Sequence, residues 1–146
     1  MGLCYLSNII QTFHMEHMSA DHLKTGKIGE DQALIYLRGR GFKMVERNYW
    51  KPYGEIDIVA QNGGVIHFVE VKTLSGDVTH GTFSDFNPED HMNFDKRQRQ
   101  KRVIQTYLTE KRIGSEVDWQ VDLVSVYLSK SGELVKIEAF EDIVLA

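Results

Sequence analysis

Two hydrophobic rhythms divide the chain. Over residues 19–40 the apolar positions recur at helical spacing: at about 100° per residue, Leu23, Gly26, Ala33, Leu34 and Leu37 share one face. Ser19 is placed to cap that helix and Gly41 to end it. Residues 42–49 read as a short strand, followed by a turn at Lys51-Pro52-Tyr53-Gly54. Residues 55–60 and 65–72 form a hairpin around Asn62-Gly63-Gly64. Residues 73–88 carry Gly, Ser, Thr and Asp without period and read as a loop. A second helix runs from Glu89 or Asn93 to Arg112, with Val103, Ile104, Tyr107 and Leu108 as its apolar stripe. Residues 117–127 and 134–139 read as further strands, separated by a turn at Ser131-Gly132. The order αβββαβ, with a C-terminal extra strand, predicts an α/β fold: a central mixed sheet flanked by helices. Residues 1–18 read as a flexible tail before a single domain over 19–146.

Charged residues interrupt this pattern at four places. Asp57 sits inside an apolar run, Glu70 and Lys72 interrupt another, and Glu30 falls among Ala33, Leu34 and Leu37 on the first helix. A carboxylate on a core-facing position is costly unless something satisfies it. The strand period of two puts Glu55 with Asp57 on one face, and Glu70 with Lys72 on one face. A two- or four-residue loop pairing Gln61 with Gly64 would place Asp57 opposite Phe68 and Glu55 opposite Glu70. Asp57 and Glu70 would then be diagonal neighbours, roughly 7–8 Å apart at the backbone. A three-residue loop would send them to opposite faces. Converging carboxylates repel, and a divalent cation removes that cost; oxygen ligands without Cys or His suit Mg²⁺ or Mn²⁺. Lys72 would then stand beside the cation, equipped to act on a water or a phosphate. Each charge taken singly has an ordinary structural explanation, such as a cross-strand salt bridge. Their combination is much harder to explain that way.

Composition narrows the classes. A chain of 146 residues with 42% hydrophobic and 26% charged content suits one soluble domain. No apolar run reaches the roughly 18 residues of a membrane span. One cysteine, Cys4, excludes an internal disulfide framework and suits a reducing cytoplasm, and the start lacks the features of a signal peptide. Net charge is −4, yet Lys96, Arg97, Arg99, Lys101 and Arg102 crowd one short stretch. Arg38, Arg40, Lys43, Arg47 and Lys51 form a second group. Either group could meet a phosphate backbone or could be a solvated face.

The residues Gly26, Gly29-Glu30, Gly54-Glu55-Ile56-Asp57, Phe68-Val69-Glu70-Val71-Lys72 and Asp122 together resemble the PD-(D/E)xK nuclease pattern. More narrowly, they resemble the YraN-type family, described as endonucleases related to archaeal Holliday-junction resolvases. The resemblance covers about residues 24–126, and GEID followed at this spacing by FVEVK is its specific part. It implies a restriction-endonuclease-like fold and a Mg²⁺- or Mn²⁺-dependent DNA endonuclease. Asp57 and Glu70 would be metal carboxylates, the Val71 backbone carbonyl a third oxygen, Lys72 the catalytic lysine, and Glu30 a helix-borne acid acting directly or through water. Lys96, with Arg97, Arg99 and Lys101, would contact DNA. Asp122 falls in a family motif without an assigned chemistry. Ile56 stands where the general pattern has Pro. Resolvases of this fold commonly act as two-fold dimers, which leaves a homodimer open here. The competing expectation is a protein that keeps the fold and binds nucleic acid, or serves as a scaffold, without turnover.

Overall fold

The computed structural model describes residues 20–76, 93–143 and 145. The expected N-terminal tail and most of the expected 73–88 loop lie outside them. Helix α1 is Ala20–Gly39 and helix α2 is Phe94–Glu110. The strands are β1 (Lys43–Lys51), β2 (Gly54–Asn62), β3 (Val65–Gly76), β4 (Trp119–Ser129) and β5 (Leu134–Phe140). They form one sheet in the order β1-β2-β3-β4-β5. β3 and β4 are parallel and every other neighbouring pair is antiparallel. The sheet is therefore mixed, and α2 is the crossover that a parallel pair requires. This is the αβββαβ order expected from the sequence, extended by an edge strand.

The helices cover opposite faces of the sheet. Ala33, Leu34 and Leu37 of α1 pack with Ile58, Ala60, Val69, Val124, Val126 and Leu128. Val103, Ile104 and Tyr107 of α2 pack with Tyr49, Ile56, Val59, Phe68 and Val121. Burial on both faces explains why β4 reads as a nearly continuous apolar run. Leu23, expected on the core face of α1, is 42% exposed; the buried stripe begins with Gly29 instead.

Two further departures from the sequence reading concern β3. Gly63 (φ +57°) and Gly64 (φ +79°) are both left-handed and form the two-residue turn by themselves. Asn62 consequently pairs with Val65, Val59 with Phe68 and Ile58 with Val69. The expected pairing of Gln61 with Gly64 was two positions off, a shift that preserves which face each side chain occupies. β3 also continues past Lys72: Thr73, Leu74, Ser75 and Gly76 pair in parallel with Val126, Tyr127, Leu128 and Ser129. Hydrogen bonding to β4 makes a strand of residues whose polarity resembles a loop.

Helix α1 approaches β3 closely at one point. A Cβ on Gly29 would lie 1.8 Å from Thr73 Oγ1, so only glycine lets the helix lie this close, and Glu30 is the next residue. Gly29→Ala should destabilise the fold by about 1–3 kcal/mol through overpacking. Thr73→Ala should recover part of that loss in the double variant. Urea denaturation checks both; additive losses would contradict the contact.

Candidate functional site

The β2–β3 ladder stops one step before Asp57 and Glu70. Its last pair is Ile58 with Val69. Beyond it the Val71 N–H donates to Asp57 Oδ2 at 2.8 Å, so a side chain continues the ladder. The β1–β2 register runs unbroken past this level, Arg47 pairing with Ile58 and Tyr49 with Ile56, its one shift lying between Met44 and Glu46; Asn48, between Arg47 and Tyr49, has φ +51°. Strict alternation also fails here, because Ile56 belongs to the α2-side core and Ile58 to the α1-side core. Asp57 thus sits where the sheet is locally distorted, and it is only 8% exposed.

The electrostatics bring four carboxylates together. Burial pushes the Asp57 carboxyl up to about 8, with Glu70, Glu55 and Glu30 adding repulsion and the Val71 N–H opposing the rise. Glu55 is raised too, by partial desolvation and then by Glu70 and Glu30. Sequence reasoning assigned Glu55 no chemistry, yet it stands within the field of this group. Glu30 contributes from α1, as its place on the helix suggested. Lys72 lies on β3 beside Ser125 of β4, half-buried. Among the described residues its side chain makes no ion pair or hydrogen bond.

Cations already hold part of this group. Lys96 Nζ lies 2.6 Å from Glu70 Oε1. Arg47 lies 3.4 Å from Glu30 Oε2 and 3.0 Å from Asp31 Oδ1. Among the described residues no three His, Cys, Asp or Glu are grouped closely enough to enclose an ion. The donor set itself is all oxygen and under-neutralised around Asp57, which fits a hard divalent cation.

The basic residues divide accordingly. Arg99 and Lys101 are exposed on α2, whereas Arg97 is half-buried with its Nε enclosed and without a partner. Arg102 stacks over Tyr53 at 4.1 Å. In the second basic group, Lys51 pairs with Glu110 at 2.6 Å, Arg40 lies over Tyr36, and Arg47 serves the acids of α1. Those three have intramolecular roles.

Asp122 has a structural role. Its Oδ2 lies 2.6 Å from Nδ1 of buried His67, and its Oδ1 accepts from Gln120 Nε2 and from the Asp142 N–H, each at 2.9 Å. One buried carboxylate thus ties β3, β4 and the segment after β5 together. His67 gave no sequence signal, since its partner is 55 residues away.

Residues 29–126 match the sequence pattern of the uncharacterised protein family UPF0102. A UPF0102 protein of Syntrophus aciditrophicus is 39% identical over 123 residues, covering 82% of this chain and 91% of the relative. One from Dictyoglomus turgidum is 37% identical over 114 residues, covering 77% and 90%. This chain belongs to the UPF0102 family. A Helicobacter pylori UPF0102 protein, 35% identical, extends the likeness over 85% of this chain and 96% of the relative. The UPF0102 match takes in Gly29, Glu30, Asp57, Glu70, Lys72, Lys96 and Asp122, and it leaves β5 outside.

The electrostatics make a pH prediction for the metal-free protein. A carboxyl raised in the fold keeps its proton while the unfolded chain loses it, so its contribution is full below about pH 4. It fades as pH rises through about 8. In EDTA, Asp57→Asn should flatten the loss of stability between pH 5 and 8 seen in the unsubstituted protein. At pH 8 it should be more stable by on the order of 1–3 kcal/mol. Denaturant titrations across that range decide it; parallel pH profiles would exclude a raised Asp57.

Proposed function

We propose that this chain is a metal-dependent DNA endonuclease of the PD-(D/E)xK type, hydrolysing phosphodiester bonds and selecting branched or junction DNA. The observation that carries the proposal is Asp57: buried where the β2–β3 ladder ends, and repelled by Glu70, Glu55 and Glu30 more than its one backbone hydrogen bond offsets. Lys72, two residues beyond Glu70, completes the set of side chains that phosphodiester hydrolysis uses.

In this reading Asp57, Glu70 and the Val71 carbonyl hold Mg²⁺ or Mn²⁺, with Glu30 contributing directly or through water. When bound, the ion would supply positive charge at the phosphoryl oxygens and lower the pKa of water. Lys72 holds the attacking water or a non-bridging oxygen by its ammonium group. The water oxygen forms the new bond to phosphorus and gives up a proton to solvent, the P–O bond to the leaving sugar breaks, and the departing oxygen takes a proton from solvent. Arg99 and Lys101, exposed on α2, attract the phosphate backbone without reading sequence. Arg47 on β1 links to α1 through a 3.4 Å contact with Glu30 and a 3.0 Å contact with Asp31, both partly exposed, and orients Glu30.

Cleavage assays on junction, flap, linear duplex and single-stranded DNA test this. Branched substrates should be cut with Mg²⁺ or Mn²⁺ and spared in EDTA. Asp57→Ala and Lys72→Ala should each lower the rate by about 10²-fold or more. DNA binding that weakens steeply with salt, with no cleavage of any substrate, would instead indicate a binding protein that retains the fold.

A further inference from the structure

Lys96 was expected to meet DNA, but its ammonium is engaged inside the protein. Nζ lies 2.6 Å from Glu70 Oε1, with the Glu70 side chain only 14% exposed and that of Lys96 35% exposed. The backbone at Lys96 is fixed: Asn93 caps α2, its Oδ1 accepting the Lys96 N–H at 2.9 Å. Four methylene groups separate that fixed point from the charge, so the head group can swing while the helix stays in place. The effect reaches beyond Glu70, because Lys96 opposes the upward shift of Glu55. Lys72 does not share this task, having no ion pair among the described residues.

We propose that Lys96 is the resident counter-ion of the carboxylate group, and that its ammonium and a hard divalent cation compete for Glu70. The proposal rests on the metal reading given above and adds a role for Lys96 within it. An ammonium 2.6 Å from Oε1 occupies the space that a cation bound at about 2.0–2.6 Å would take, and the two positive charges repel. Either cation therefore excludes the other from that oxygen. When the metal takes Glu70, Lys96 is released at the start of α2, on the same helix as exposed Arg99 and Lys101. There it adds one positive charge to the surface offered to a phosphate backbone. Metal and polyanion binding are then linked through one side chain, each strengthening the other by the same factor. The metal-free protein, with Lys96 turned inward, holds a polyanion less well.

Mn²⁺ titration of the full chain, followed by the electron paramagnetic resonance of free Mn²⁺, measures this without any substrate. Lys96→Met should bind Mn²⁺ about three- to tenfold more tightly than the unsubstituted protein, because a competing positive charge is gone. Lys96→Arg, which keeps the charge, should stay near the unsubstituted value. Lys96→Gln repeats the test with a polar side chain, and circular dichroism verifies that each variant is folded. Unchanged or weaker Mn²⁺ affinity in both neutral variants overturns the proposal. Asp57→Asn separates the two levels. If it abolishes binding while the Lys96 variants change nothing, the metal reading stands and the competition fails. If it titrates like the unsubstituted protein, or if nothing binds, both fail.

Discussion

The hydrogen bond from the Val71 N–H to Asp57 Oδ2, 2.8 Å long, is the contact on which the site depends. It forms where the β2–β3 ladder runs out, and it replaces a main-chain acceptor with a carboxylate. A side chain held this way cannot turn to water, so Asp57 stays buried beside Glu70 of the neighbouring strand. Burial raises its proton affinity, and the single N–H is too little to offset the repulsion from Glu70, Glu55 and Glu30. The fold thus keeps an under-compensated acid at the level of the sheet where the β2–β3 ladder ends. Arrangements of this cost persist mainly where function uses them.

Everything around that point adjusts charge or distance. Gly29 lets α1 approach Thr73 closely enough for Glu30 to contribute its field. Arg47 restrains Glu30 and Asp31, and Lys96 restrains Glu70. On the neighbouring strand, opposite Val69, Asp122 joins His67, Gln120 and the Asp142 backbone, holding β3 beside β4 close to where the parallel pair begins. The positions of Glu70 and Lys72 are set by that same strand. Structural and site carboxylates differ here in one respect: Asp122 has three partners, whereas Asp57 has one and several like-charged neighbours.

Much of this was legible in the sequence, and what was not has physical causes. Periodicity located both described helices and all five described strands because each buries a face at its own period. The misplaced charges marked Glu30, Asp57 and Glu70 as a group because an acid among core residues violates that period. The hairpin register came out two positions off, since Gly64 looked like strand and is turn; the error was even and left the facing of β3 unchanged, whereas the strict alternation expected of β2 fails between Ile56 and Ile58. The end of β3 was hidden because residues 73–76 owe their strand to pairing with β4 rather than to apolar content. Ion pairs were the least legible feature. Lys96 with Glu70, Arg47 with Glu30, and Lys51 with Glu110 join different elements, and nothing in their local sequence names the partner.

The central claim is that Asp57 and Glu70 form a site for a hard divalent cation. Anomalous diffraction from a crystal soaked in Mn²⁺ tests it most directly. The account predicts a single strong peak at about 2.0–2.6 Å from carboxylate oxygens of both residues, with the Lys96 ammonium displaced from Glu70. A peak bound elsewhere, or Lys96 still seated on Glu70 with no peak beside Asp57, would contradict it.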